Sequence, residues 1–295
     1  MKTVRSRNPA ARGYKLSIAI PASLVSDVPH LREKTSKIGL VGRAAAIFCV
    51  DEIIIFRDLP EVDQNRDTHL VATILSYMET PQYLRKKLFK IRPELRYAGI
   101  LPPLRTPHHP LPDSTKDLTV GEFREGVPTS LTKGGTLVDI GVKHPVFVPR
   151  TRLPLNKRLT LRITDLGKHP KATQASRNDI KEYWGYQVTV SNAPLGKMSK
   201  NKAFDLILAT SRLGTPMTKI VKALRNRWRM SRKILVAFGA PTEGLFQILE
   251  REKLDLEEFA DYIVNTIPKQ GTETVRTEEA IYASLALLNS LSTTT

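Results

Sequence analysis

Apolar positions recur along the chain at two different periods, and the change of period divides it. Lys15 to Pro21 (KLSIAIP) and Glu52 to Phe56 (EIIIF) read as strands, the second a continuous apolar run of the kind that a sheet covered on both faces requires. Leu31 to Phe48 reads as a helix between them, and Asp67 to Glu79 as another after the turn-rich EVDQNRD. This βαβ rhythm predicts a parallel sheet. It breaks at Ile91, where the proline-dense IRPELRYAGILPPLRTPHHPLPDS excludes regular helix and central strand.

Beyond that connector the period becomes two. Val138, Ile140 and Val142 form one such row, Leu159, Leu161 and Ile163 a second, and Trp184, Tyr186, Val188 and Val190 a third. Three half-buried strands with Gly and Pro turns predict a small antiparallel barrel or sandwich. After Asn201 the first rhythm returns in three strands, Phe204 to Thr210, Lys233 to Gly239 and Tyr262 to Ile267. Thr215-Pro216 opens a helix, and Thr277 caps a final one whose first turn holds Glu278 and Glu279. The economical organisation is one α/β domain over residues 14–113 and 195–295, interrupted by an all-β insertion over 114–192.

Charge sharpens this division. The 295 residues carry 46 Lys and Arg against 29 Asp and Glu, a net +17, and 41% are hydrophobic. That is enough apolar surface for a core and enough positive charge to steer encounters with polyanions. The excess is focused: Arg212 to Lys233 holds 8 basic residues and no acidic one, which points to nucleic acid. Cys49 is the lone cysteine, so an intrachain disulfide or a Cys-ligated zinc site is excluded. No apolar stretch has the ~20 residues of a membrane span, and no apolar signal core follows the basic N-terminus, so the expectation is a cytoplasmic protein without membrane contact. No G-x-G-x-x-G follows a strand, and GAPTEG at 239–244 lacks the Lys and Ser/Thr of a phosphate loop. H-E-x-x-H and G-x-S-x-G are absent too, which sets aside histidine-metal and serine-hydrolase chemistry and predicts no metal site.

Three unusual loops remain, at the C-terminal ends of the last three strands: Thr210 to Gly214, Gly239 to Gly244 and Asn265 to Arg276. Ligands of open α/β sheets bind beyond such strand ends. Taken singly each loop fits ordinary turn chemistry, whereas together they predict one pocket.

The residues in these loops carry a resemblance. The run NTIPKQGTETVRTEEAI at 265–281, with VAFGAPTEG at 236–244, resembles the C-terminal cofactor region of SPOUT, or α/β-knot, methyltransferases. Three further segments, TPHHPL at 106–111, GEFREG at 121–126 and EYWGYQV at 182–188, are similar to the archaeal and eukaryotic branch in which an OB-like barrel is inserted into the knotted domain. The resemblance implies an α/β fold: a trefoil-knotted methyltransferase domain with an inserted small antiparallel OB-like barrel. It further implies an S-adenosylmethionine-dependent RNA methyltransferase acting as a homodimer. Carried over by position, Gly239, Ala240, Pro241, Gly244, Asn265, Thr266 and Ile267 hold the cofactor, Gly271 and Thr272 close over it, and Thr210 and Ser211 form the third wall.

The expected substrate is a large structured RNA, ribosomal RNA first, with the imide nitrogen of a uridine as the favoured acceptor and ribose or another base atom as the alternative. Methylating that nitrogen removes a proton, which a cation beside the uracil oxygens assists. Arg276 is the first candidate for that cation, with pairing to Glu273 or Glu279 as its alternative; His108 and His109 either face the base or serve as turn residues. Trp184 and Tyr186 are stacking residues or core residues of the barrel, and Arg150, Arg152, Lys157, Arg158, Lys168, Lys171 and Arg177 are its expected phosphate contacts. The competing reading is a non-catalytic RNA-binding or assembly factor that keeps the fold.

Overall fold

The strand and helix signals above resolve into 11 strands and 8 helices besides short 3-10 turns in a computed structural model, which describes residues 12–111, 114–167, 169–200 and 204–292. In chain order these are β1 (Lys15–Pro21), α1 (Leu31–Ile47), β2 (Glu52–Phe56), α2 (Asn65–Glu79) and α3 (Gln82–Leu88). Five strands follow: β3 (Phe123–Thr132), β4 (Gly135–Asp139), β5 (Val146–Pro149), β6 (Leu159–Asp165) and β7 (Lys171–Ala175). The remainder comprises β8 (Gln187–Val190), α4 (Gly196–Lys200), β9 (Leu206–Pro216), α5 (Met217–Met230), β10 (Lys233–Ala237), α6 (Leu245–Arg251), α7 (Leu256–Phe259), β11 (Tyr262–Asn265) and α8 (Thr277–Ser292). They divide into two units, one of Arg12–Met78, Glu94–Leu104 and Tyr186 onward, the other of Glu79–Pro93 and Arg105–Gly185.

The first unit is built on a six-stranded parallel sheet in the order β11-β9-β10-β1-β2-β8. Its inner strands β1, β2 and β10 are mostly apolar because both faces are covered. Ile18, Ile20, Ile53, Ile55, Leu206, Leu208, Ile234 and Val236 point to one side, into the core shared with α1, α2, α5 and α8. The alternate residues Ala19, Ile54, Ile207, Ala209, Leu235 and Ala237 point to the other, against α6 and α7. The period of two thus sorts one continuous apolar run into two cores. Helix α1 buries Ile38, Val41, Ala44 and Ala45 and stops where Cys49 turns left-handed at φ 50°.

Two boundaries depart from the sequence reading. The strand at 187–190 pairs with β2 in this sheet and takes no part in the barrel. Its alternating pattern is that of a half-exposed edge strand, which looks the same in either sheet. The strand expected at 204–210 extends to Pro216, because Val264 and Asn265 of β11 pair with Thr215 and Pro216. Residues 210–214 form an excursion within it: Ile263 pairs with Ala209, and the next residue, Val264, pairs with Thr215.

The second unit contains a closed barrel in the order β3-β4-β5-β7-β6, with β6 pairing back onto β3. The expected antiparallel pairing holds except between β5 and β7, which run parallel where Phe147 meets Lys171 and close the barrel. Val138, Val146, Val148, Leu161, Ile163 and Ala172 fill its interior. Gly141, at φ 82°, lets the ring of Tyr83 lie where a Cβ would stand, with Cγ only 2.3 Å away. Alanine at this position is expected to lower the stability of the unit by about 1–2 kcal/mol from the left-handed backbone alone. The clash with Tyr83 increases that destabilisation, which denaturant unfolding followed by tryptophan fluorescence measures.

Candidate active site

The excursion at 210–214 within β9 and the loops that follow β10 and β11 line a cavity of about 290 Å³, near the lower end of the ~300–1,000 Å³ usual for ligand sites. Nine of the eleven residues expected to hold the cofactor line it: Thr210, Ser211, Gly239, Ala240, Pro241, Gly244, Asn265, Thr266 and Ile267. Gly271 and Thr272 do not. They belong to an exposed part of the third loop, where a Cβ on Gly271 would meet nothing within 4 Å. Their neighbours Gln270 and Glu273, which the sequence reading missed, line the cavity together with Arg212 and Leu213.

Hydrogen bonds tie the loops to one another. Asn265 Nδ2 donates to the Arg212 carbonyl at 2.8 Å, and Arg212 Nη1 donates to the Glu273 carbonyl at 3.2 Å. Gln270 Nε2 donates to the carbonyls of Thr272 and Glu273. The Thr266 hydroxyl shares a hydrogen bond of 2.8 Å with that of buried Ser284 on α8. The middle loop is anchored from below, since Thr210 Oγ1 donates to the Ala237 carbonyl and Thr277 Oγ1 to the Gly239 carbonyl. Thr277 is therefore no helix cap; the chain enters α8 at Arg276, whose backbone N–H donates to the Glu279 carboxylate. Arg251 clamps the outer side, pairing with Glu243 and donating to the Asp58 carbonyl at 3.0 Å.

The cavity walls are mainly backbone, hydroxyls and small side chains, with Leu213 and Phe246 as apolar surface and Arg212, Glu243 and Glu273 as charged residues. Such a lining suits a nucleoside with a charged, zwitterionic tail. Arg276 is exposed beside the cavity without being among its lining residues, and its guanidinium pairs with no described carboxylate.

His108 and His109 lie in the other unit. The three segments TPHHPL, GEFREG and EYWGYQV converge there on a buried ion cluster that sequence reasoning missed. Arg158 grips Glu79 with both terminal nitrogens and donates from Nε to Glu125 at 2.6 Å. Arg177 Nη2 also reaches Glu79, at 2.9 Å. Glu125 accepts in addition from Thr160 at 2.8 Å and from Trp184 Nε1 at 2.6 Å. His108 is fully buried; its Nε2–H donates to the Glu79 carbonyl at 2.9 Å, and its Nδ1 shares a hydrogen bond of 3.1 Å with the Thr106 hydroxyl. His109 Nε2 donates to the same carbonyl at 2.8 Å. Burial pushes the Glu79 carboxyl up, but Arg158 and His108 outweigh it and hold the group well below the usual carboxylate range. Burial, helped by His108, pushes the His109 pKa down to about 3.

This cluster corrects several RNA assignments. Arg158 and Arg177 are bound to carboxylates, and exposed Lys171 pairs with Asp165 at 2.9 Å. Trp184 is buried against Glu125, and Tyr186 is 1% exposed in the α/β core with its hydroxyl on the Leu75 carbonyl, so neither offers a ring for stacking. Arg150, Arg152 and Lys157 remain accessible and pair with no described carboxylate. Lys168 lies outside the described residues. Among the described residues no helix is long and apolar enough to cross a membrane, and no cluster of His, Cys, Asp and Glu is arranged to hold a metal.

The chain has relatives in sequence over nearly its whole length. A protein of Halobacterium salinarum without an assigned role is 34% identical over 290 residues, covering 92% of this chain and 98% of its own. The 28S rRNA (uridine-N(3))-methyltransferases of Mus musculus and Homo sapiens are each 34% identical, over 313 and 309 residues; they cover 96% and 94% of this chain and 78% of their own length. Residues 15–288, which contain all three cavity loops and the buried cluster, match the family described as "Putative RNA methyltransferase". A pocket at the strand ends, a basic surface and a match over nearly the whole chain agree, and the chain belongs to this family of RNA methyltransferases.

Proposed function

We propose that the protein transfers a methyl group from S-adenosylmethionine to N3 of a uridine in ribosomal RNA, and that it works as a homodimer through a trefoil-knotted α/β domain. The observation that carries this reading is a cavity lined by segments of three adjacent strands, the excursion in β9 and the loops after β10 and β11, in a chain related to uridine-N(3) methyltransferases. The long segment from Asn265 to Arg276 supports the knot. It leaves edge strand β11 and brings α8 against α1 and α5, with Thr277 bonded behind β10. Exposed Leu40 and Ile47 on α1 and Leu287 on α8 supply apolar surface for the dimer.

Bound in this cavity, S-adenosylmethionine would supply an electrophilic methyl group. Gly239, Ala240 and Pro241 would approach it with backbone, Thr210, Ser211 and Thr266 with hydroxyls, and Phe246 would cover its apolar surface. Arg276, whose guanidinium pairs with no described carboxylate at the start of α8, would face the uracil oxygens and stabilise the imide anion as the N3 proton leaves to water. The histidines would serve the other unit as structural partners of Glu79. Incubating the protein with methyl-labelled donor and ribosomal RNA from a strain lacking the gene, then digesting to nucleosides, tests the reading. Labelled 3-methyluridine is the expected product; label in ribose or in another base would sink the assignment of the acceptor atom, and no label would favour the binding-only alternative.

The strand order β3-β4-β5-β7-β6 supports an OB-like role for the barrel in RNA capture. With Arg158 committed to carboxylates, the test falls on Arg150, Arg152 and Lys157. Replacing all three by alanine is expected to flatten the slope of log affinity on log salt by about 0.7–0.9 for each phosphate that these side chains neutralise. Calorimetric binding of S-adenosylmethionine stays unchanged in that variant.

A further inference from the structure

Resting on the reading above, we propose that the outward face of α5 is a second RNA-docking surface, one that grips the phosphate backbone beside the donor cavity. Helix α5 leaves β9 directly after the excursion at 210–214 that forms one cavity wall. Its inner side buries Met217, Leu224 and Trp228 in the core shared with α8. At helical spacing this leaves Lys219, Lys222, Asn226 and Arg229 as one exposed stripe, offset by 3, 4 and 3 residues. Over 14 residues the helix spans about 21 Å, long enough to follow several phosphates of one strand.

The stripe is unneutralised. Neither α5 nor the turn after it contains an acidic residue, and the helix cations pair with no described carboxylate. Arg227, on the flank, donates to a backbone carbonyl, that of Asp205. In the barrel unit, by contrast, Arg158, Arg177 and Lys171 are committed to Glu79, Glu125 and Asp165. The distribution of free cations therefore differs from the distribution of basic residues, and it favours α5. A lipid surface fits this helix poorly, because membrane-lying helices present an apolar face outward and α5 keeps its own against α8. Met230, 77% exposed at the last turn, is an isolated exception.

The test is a triple variant, Lys219→Ala, Lys222→Ala and Arg229→Ala, with Lys219→Arg, Lys222→Arg and Arg229→Lys as the charge-keeping control. Alanine on an exposed helix face keeps the helix. Fluorescence anisotropy with a labelled RNA hairpin bearing a uridine-rich loop, repeated across salt concentrations, is expected to show a slope flatter by about 2–3 for the alanine variant, at 0.7–0.9 per phosphate. The control keeps the wild-type slope, and both variants keep the wild-type calorimetric affinity for S-adenosylmethionine. An unaltered slope in the alanine variant overturns the proposal. So does a loss of affinity confined to phosphatidylserine vesicles, which would place the helix on a membrane. Methylation of ribosomal RNA by the wild type reports separately on the reading beneath it: present with an unaltered slope, the helix proposal falls alone. Absent with a flattened slope, the docking surface stands and the enzymatic reading falls.

Discussion

A Gly239→Val variant is expected to bind S-adenosylmethionine about 100-fold or more weakly by calorimetry, roughly 2.7 kcal/mol, whereas Gly271→Val binds as the wild type does. The contrast comes from backbone crowding. A Cβ at 239 would lie 3.0 Å from the Glu243 carbonyl oxygen and 3.2 Å from the Gly244 Cα, both backbone atoms of the loop that walls the cavity. Branched carbons there have to push that loop outward or enter the cavity, and close-packed backbone yields little. At 271 the same substitution meets open space, and the residue is outside the cavity lining. Retained RNA affinity and an unchanged unfolding midpoint for Gly239→Val would assign the loss to the cavity. Equal losses at both positions would show that the third loop closes on the donor along its whole length.

Removing the Glu79 side chain as Glu79→Ala is expected to cost about 3–5 kcal/mol of stability, the range for breaking a buried ion pair. Arg158, 18% exposed, would then keep its charge with Glu125 as its remaining carboxylate, and Arg177 would lose its partner. The same cluster sets an acid limit. The Glu79 carboxyl ionises in the folded chain well below its unfolded value of 4.5, so its contribution is complete above that pH and is lost as pH falls through the folded value. His109 acts earlier. Its folded pKa of about 3 lies below its unfolded 6.5, so between these values the unfolded chain binds the extra proton. Stability should fall by up to about 1.4 kcal/mol per pH unit from near 6.5 downward. Denaturant titrations between pH 7 and 3 should show this decline begin well above the carboxylate range, and His109→Gln should abolish its upper part. A stability flat from pH 7 to 5 would contradict the burial of a neutral His109.

What the sequence made legible followed from local pattern. Lys15–Pro21 and Glu52–Phe56 are strands with the predicted bounds, because a short, mostly apolar run in a βαβ context has few other placements. The cavity loops were legible for a related reason: Gly239-Ala240-Pro241 and Asn265-Thr266-Ile267 lie at the ends of apolar strands, and strand ends gather on one side of a parallel sheet. The RNA assignments in the barrel fared worse, since partners decide the fate of a charge. Arg158 reads as a free cation until Glu125 arrives from 33 residues away and Glu79 from 79. Trp184 and Tyr186 sit two apart and share a pattern, yet one belongs to the ion cluster and the other to the core beneath β2. No periodicity separates those outcomes.

The excursion in β9 has a temporal consequence. Its two ends are held by neighbouring residues of β11, so residues 210–214 take their shape only once Ile263 and Val264 have docked. The loop beyond β11 is in turn fastened to Ser284. On a ribosome releasing the chain from its N-terminus, the first five strands of the parallel sheet emerge and can pair long before this wall exists. A nascent chain ending before about residue 284 should therefore carry a formed barrel and most of the sheet while remaining blind to the methyl donor. Competence arrives late and in a single step, with the last helix.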